Sequence, residues 1–206
     1  AYDVSLSNNY EITNDNFNYQ YSSLTTPKSI INYNLANKES ENLLTKEVVG
    51  FDKSKYQLDR FFINARDGEK IPVVTVAHKH TILNQAPILF YGYGSYGINI
   101  DAQFRESLIP LLNRGFVFSI INIRGGGEMG KKWYENGRML NKMNTFYDFN
   151  DGVKEVLKMG IGNPSKVFAR GGSAGGLLMG AIVNLEPELY KGILSGVPFV
   201  DVLTTM

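Results

Sequence analysis

Val167-Phe-Ala-Arg-Gly-Gly-Ser-Ala-Gly-Gly-Leu-Leu-Met179 is the stretch that decides how this chain folds. An apolar run of strand type, Val167 to Ala169, enters a turn with glycine on both sides of Ser173. A helix-forming run, Leu177 to Val183, leaves it. Gly171, Ser173 and Gly175 thus form G-x-S-x-G between a strand and a helix, the setting of a nucleophile elbow. Such a turn forces the serine into a strained backbone, and a Cβ two residues away on either side meets the neighbouring strand or helix. The hydroxyl then stands exposed at a helix N-terminus, where the backbone N–H of Ala174 faces a developing oxyanion. A plain glycine-rich turn is the competing reading, and the flanking strand and helix favour the elbow.

Working outward, strands and helices alternate from Tyr56 onward. Strands are predicted at Leu58 to Asn64, Ile71 to His78, Ile88 to Tyr93, Phe116 to Ile123, Val167 to Ala169 and Gly192 to Val197. Helices are predicted at Phe104 to Asn113, Phe149 to Met159 and Gly175 to Asn184, with Gly115 and Gly160 just past two of their ends. Asp67-Gly68 makes the first two strands an antiparallel hairpin. The remainder reads β-α-β-α-β, a parallel sheet covered by helices. An α/β fold of the α/β-hydrolase kind fits this order.

Residues 1–50 differ. They are rich in Asn, Ser, Thr and Tyr, and the alternating stretches Phe17 to Tyr21 and Ser29 to Leu35 flank Thr25-Thr26-Pro27. Short antiparallel strands are expected there, too few for a free-standing sandwich or barrel, so the segment reads as the tail of a larger β domain. The domain boundary is therefore set at 1–50 and 51–206. The chain has 206 residues, 43% hydrophobic and 20% charged, with a net charge of +1. That balance gives no reason to expect nucleic acid or a membrane as partner. With no cysteine there is no disulfide, thiol chemistry or thiolate metal site. No metal or other cofactor is expected. The longest apolar stretch, around Gly115 to Ile123, is far short of the ~18 residues of a membrane span. No secretory signal is visible, and a cytoplasmic location is the expectation.

Two further glycine-rich loops follow predicted strands. Tyr91-Gly-Tyr-Gly-Ser-Tyr-Gly97 satisfies G-x-G-x-x-G, yet no helix starts at Gly97, the next strand ends without an acidic residue, and tyrosines would crowd a pyrophosphate. As the loop after the third strand of a hydrolase sheet, it is instead where the second oxyanion donor belongs, and a tyrosine hydroxyl can serve. Packing of a loop lid is the plainer role for these tyrosines. In Arg124-Gly-Gly-Gly-Glu128, an Arg124–Glu128 ion pair is expected, with Arg124 facing a substrate terminus as the alternative.

The base is the difficulty. Hydrolases of this fold place Ser, then Asp or Glu, then His in chain order. His78 and His80 both precede Ser173 and read as exposed strand-end residues; the acids after it are Glu186, Glu188 and Asp201. Asp201 reads as a structural hydrogen-bonding group or a weak candidate for the triad acid. The residues hold a nucleophile and an oxyanion hole without a base, as in a truncated enzyme.

Taken together, Leu89-Phe-Tyr-Gly-Tyr-Gly-Ser-Tyr-Gly97, Asn122-Ile-Arg-Gly-Gly-Gly-Glu-Met-Gly130 with Trp133, Asn144-Thr-Phe146 with Asp148, Gly171-Gly-Ser-Ala-Gly-Gly176 and Pro198-Phe-Val-Asp-Val202 resemble the prolyl oligopeptidase family of serine peptidases, and within it the oligopeptidase B branch. Tyr21-Ser-Ser-Leu-Thr-Thr-Pro27 and Tyr33-Asn-Leu35 resemble the closing strands of that family's β-propeller. The resemblance implies Ser173 as nucleophile, Tyr93 as side-chain oxyanion donor, the Ala174 N–H as its partner, and Tyr96 in the substrate pocket. It also implies short peptides as substrates, cleaved after Arg or Lys. The family's catalytic Asp and His have no counterpart up to Met206. The 206 residues alone are therefore expected to be inactive. A split-gene remnant, or half of an enzyme completed by a separate chain carrying Asp and His, is the alternative, and an esterase of the same fold a third.

Overall fold

The structure, a computed structural model, describes every residue except Ile12 and Met206. Its first 45 residues build a four-stranded antiparallel meander: β1 (Asp3–Leu6), β2 (Asn16–Ser23), β3 (Thr26–Asn34) and β4 (Ser40–Thr45), in that spatial order. Leu24 and Thr25 make the tight connection between β2 and β3, where Ser23 pairs Thr26. Rings lock the cross-strand register, with Phe17 and Tyr33 5.4 Å apart and Tyr2 stacked on Tyr21 at 5.6 Å. Four short antiparallel strands are the size of one propeller blade.

A six-stranded mixed sheet follows. Its elements are β5 (Tyr56–Asn64), β6 (Lys70–His78), β7 (Ile88–Tyr91), α1 (Ile109–Asn113), β8 (Val117–Ile121), α2 (Lys131–Glu135), α3 (Lys142–Lys158), β9 (Val167–Gly172), α4 (Ala174–Leu185), β10 (Gly192–Gly196) and α5 (Val202–Thr205). The spatial order is β10-β9-β7-β8-β6-β5. β5, β6 and β8 pair antiparallel, whereas β8, β7, β9 and β10 run parallel. All of β8 is buried, which explains why it reads as an unbroken apolar run and not an alternating one. One sheet face packs Phe90, Ile121 and Val167 against Phe149 and Val153 of α3 and Leu178 and Ile182 of α4. The other packs Val76, Phe118 and Ile120 against Leu112 of α1 and Leu24 of the meander. The meander is thus tied to the second sheet by its β2–β3 turn, and the Phe104 N–H adds a 3.0 Å bond to Ser22 Oγ.

Several boundaries differ from the sequence expectation. The predicted strand Ile88 to Tyr93 ends at Tyr91, which leaves Tyr93 on the loop. The helix expected over Phe104 to Asn113 is confined to Ile109–Asn113, because the Phe104 amide is bonded to the meander and Pro110 sits in the first turn. The helix expected from Phe149 starts at Lys142. Its extra two turns are mostly polar, and their one carboxylate, Asp148, is buried with Arg124 as its partner.

Candidate active site

Parallel strands deliver their C-terminal loops to one edge of a sheet, and that edge is where ligands bind in α/β folds. Here the loops after β7, β8 and β9 meet there, carrying Tyr93, Arg124 and Ser173.

Ser173 has φ 56° and ψ −119°, a left-handed conformation that a side chain rarely adopts. Neighbours hold it there. Its N–H donates to the Gly196 carbonyl at 3.0 Å, and its own carbonyl accepts from the Phe199 N–H at 3.1 Å. The flanking glycines are needed for space: a Cβ on Gly171 would stand 2.2 Å from the Gly175 carbonyl oxygen. One on Gly175 would stand 3.0 Å from the Gly92 carbonyl oxygen. The elbow therefore packs on itself and on the β7 loop. Ser173 is exposed, and Ala174 opens α4, so its N–H belongs to the turn that lacks intrahelical acceptors.

The Tyr93 phenol lies beside the Ser173 side chain, close enough for the serine to influence its ionisation. Burial raises the Tyr93 phenol above its ordinary pKa, so it keeps its proton at neutral pH and remains a donor. Tyr96, on the same loop, is 70% exposed at φ 60°.

This loop and the one after β8 touch backbone to backbone. A Cβ on Gly125 would lie 2.1 Å from the Gly94 carbonyl oxygen, and the Gly97 N–H donates to the Gly125 carbonyl at 3.0 Å. Gly125 and Gly127 serve this contact, whereas Gly92 and Gly94 make room for Phe149, Thr145 and Ile123, so these glycines are used in packing and do not form a phosphate cradle.

Arg124 overturns an expectation. It pairs with Asp148 of α3 and with Asp67, not with Glu128. Its Nε and Nη2 reach the Asp148 carboxylate at 2.8 and 2.5 Å, and Nη1 reaches Asp67 at 2.6 Å. Those hydrogen bonds hold the guanidinium in its charged form, above even its ordinary range. At 4% exposure, with both carboxylates engaged, Arg124 fastens its loop to α3 and presents no free face to a substrate. Glu128 instead accepts from the Ile100 N–H and from Asn122 Nδ2, both at 2.9 Å, and burial raises its pKa. The helix partner fits the arginine better for a physical reason: Asp148 offers two oxygens to a planar fork, a pairing that Glu128 is not placed to make.

Two residues given no role in the sequence reading belong to this neighbourhood. Thr145 Oγ1 donates to the Arg124 carbonyl at 2.7 Å, and Lys142 Nζ reaches the Gly94 carbonyl at 2.6 Å. A signal was present in both cases: polar residues at helical spacing with the apolar Phe146 and Phe149 lie on a buried stripe.

The histidines are elsewhere. β6 runs antiparallel to β8, so its end at His78 lies beside the start of β8, with Ala77 opposite Val117. That is the sheet edge opposite Ser173. Asp201 accepts from the Thr204 N–H and hydroxyl at 3.3 and 2.7 Å at the start of α5. Nucleophile, side-chain donor and helix N-terminus are together, then, and among the described residues no imidazole joins them.

The comparisons with known proteins agree with this geometry. The profile of the Prolyl oligopeptidase family matches residues 102–206. Dipeptidyl aminopeptidase BI of Pseudoxanthomonas mexicana is 47% identical over the whole of this chain, and Protease 2 of Moraxella lacunata is 46% identical over 91% of it. Among solved structures, oligopeptidase B from Leishmania major superposes with a TM-score of 0.90 and 42% identity over 99% of the chain. The chain spans only 29% and 27% of the length of the two curated relatives, and 29% of that structure.

Proposed function

The chain belongs to the prolyl oligopeptidase family of serine peptidases, and from that premise we propose that the intact protein hydrolyses short peptides, after Arg or Lys, through an acyl-enzyme on Ser173. One observation carries the reading: an exposed serine at φ 56° on an elbow, with the Tyr93 phenol beside it. In the reaction Ser173 Oγ bonds to the scissile carbonyl carbon while an imidazole base takes its proton. The tetrahedral oxyanion lies between the Tyr93 hydroxyl and the Ala174 N–H. The carbon–nitrogen bond then breaks, the proton passes to the leaving amine, and water repeats the sequence to release the acid. Residues 1–50 act as closing strands of a propeller and residues 51–206 as part of the peptidase domain, in a cytoplasmic enzyme. The catalytic Asp and His come from outside these residues, from the same polypeptide or from a separate chain.

A fluorophosphonate probe tests the assignment. On the intact protein it labels one peptide, the one containing Ser173; labelling elsewhere, with Ser173 unmodified, would refute it. For the 206-residue polypeptide alone, peptide hydrolysis is expected to stay at background, because the histidines it holds lie at the wrong edge of the sheet. Turnover above background, lost with Ser173→Ala, would show that these residues supply their own base.

The name of the first relative, a dipeptidyl aminopeptidase, favours a second reading in which dipeptides are released from free N-termini. Matched substrates with free and acetylated N-termini separate the two. Cleavage of the acetylated peptide supports the endopeptidase, and its refusal supports the exopeptidase.

A further inference from the structure

Lys142 occupies an unfavourable place for a cation. It is the first residue of α3, at the positive end of the helix macrodipole, and it is partly buried. Burial pulls its pKa down to about 8. Among the described residues it makes no ion pair that would offset this. Its ammonium donates instead to two acceptors on the β7 loop, the Gly94 carbonyl at 2.6 Å and Ser95 Oγ at 2.9 Å. The Phe146 ring lies beneath it, 5.8 Å from ring centre to Nζ. A lysine needed only for solubility would reach into water from such a position.

The atom it holds matters. Gly94 directly follows Tyr93, and its carbonyl oxygen is the one against which Gly125 closes. That carbonyl is therefore gripped on one side by the β8 loop and on the other by the ammonium. We propose that Lys142 is a positioning residue for the reaction: by holding the Gly94 carbonyl and the Ser95 hydroxyl it sets the Tyr93 hydroxyl at the oxyanion position beside Ser173. This rests on the peptidase reading above. A phenol displaced by an ångström still lets substrate bind but no longer meets the charge that forms on the carbonyl oxygen. The effect should accordingly fall on kcat and spare KM.

The test is a double-mutant cycle on the intact protein with a short arginyl peptide amide as substrate, comparing Lys142→Met, Tyr93→Phe and their combination. Tyr93→Phe is expected to lower kcat by about 10²-fold, as loss of one oxyanion donor does. Lys142→Met should lower kcat roughly 10- to 100-fold with KM changed by less than about twofold. Because the lysine acts through the phenol, the combination should lose no more than Tyr93→Phe alone. Lys142→Arg, which keeps charge and donors, should recover most of the rate. Where Lys142→Met does not fold, as judged by thermal unfolding, Lys142→Gln enters the same cycle with the same expected pattern. Wild-type kcat in the lysine variant, or losses that multiply in the combination, would overturn the proposal while Ser173→Ala remains inactive. Activity surviving in Ser173→Ala would instead remove the peptidase reading, and this proposal with it.

Discussion

Ser173→Ala in the intact protein lowers kcat on the order of 10⁴- to 10⁶-fold, the scale seen when the nucleophile of a serine triad is removed. The fold should barely notice. Alanine keeps the Cβ, so it meets the same positive-φ strain as serine, and the two backbone bonds that hold residue 173 to Gly196 and Phe199 are untouched. The hydroxyl is exposed, and its neighbour, the Tyr93 phenol, is only partly buried and can turn to water, so the cost of removing the serine oxygen is small. Unfolding free energy should stay within about 0.5 kcal/mol of wild type, as for a surface substitution. A rate loss of that size with stability intact separates a chemical role from a structural one. Residual activity above about 1% of wild type, well outside the expected range, would mean that the nucleophile is another group.

Arg124→Met is the mirror case, a large loss of stability from a residue that does no chemistry. Asp148 is fully buried, and the arginine supplies three of its hydrogen bonds, one of them from the backbone N–H. With the guanidinium gone, the carboxylate is left in the interior with only that backbone donor. Breaking a buried pair in this way costs about 3–5 kcal/mol. Asp67 contributes little to the penalty, since its side chain is 43% exposed and can turn to water. Urea unfolding of the intact protein measures the effect. Arg124→Met combined with Asp148→Leu should recover most of it, because no buried charge then remains. A loss below about 1 kcal/mol in the single variant would show that Asp148 finds water or another partner, contrary to the burial described above.

These two residues also show which parts of the molecule the sequence could reveal. Ser173 was legible because its requirements are local: glycine at fixed offsets, a strand before and a helix after. Tyr93 was less so: the loop's place after a strand called only for some tyrosine hydroxyl, and the choice of Tyr93 rested on the family resemblance. Arg124 was not. Its nearest acid along the chain is Glu128, but its partner Asp148 lies 24 residues on, at a helix position that spacing alone assigns to solvent. Lys142 was legible only in its spacing to Phe146 and Phe149; because the helix was expected to start at Phe149, its contact with the β7 loop was not foreseen. The parallel order of β7, β8 and β9 followed from the alternation of strands and helices. The antiparallel pairing of β6 with β8 did not, and that pairing sends His78 and His80 to the far edge.

The contact between Gly94 and Gly125 has a thermodynamic consequence. Two loops that meet backbone to backbone have no side chains between them to rearrange, so they move together or not at all. The freedom of the backbone on either side of Tyr93 is then given up when the chain folds, and little of it remains to be lost when a ligand arrives. A loop pair ordered in this way has little capacity for induced fit.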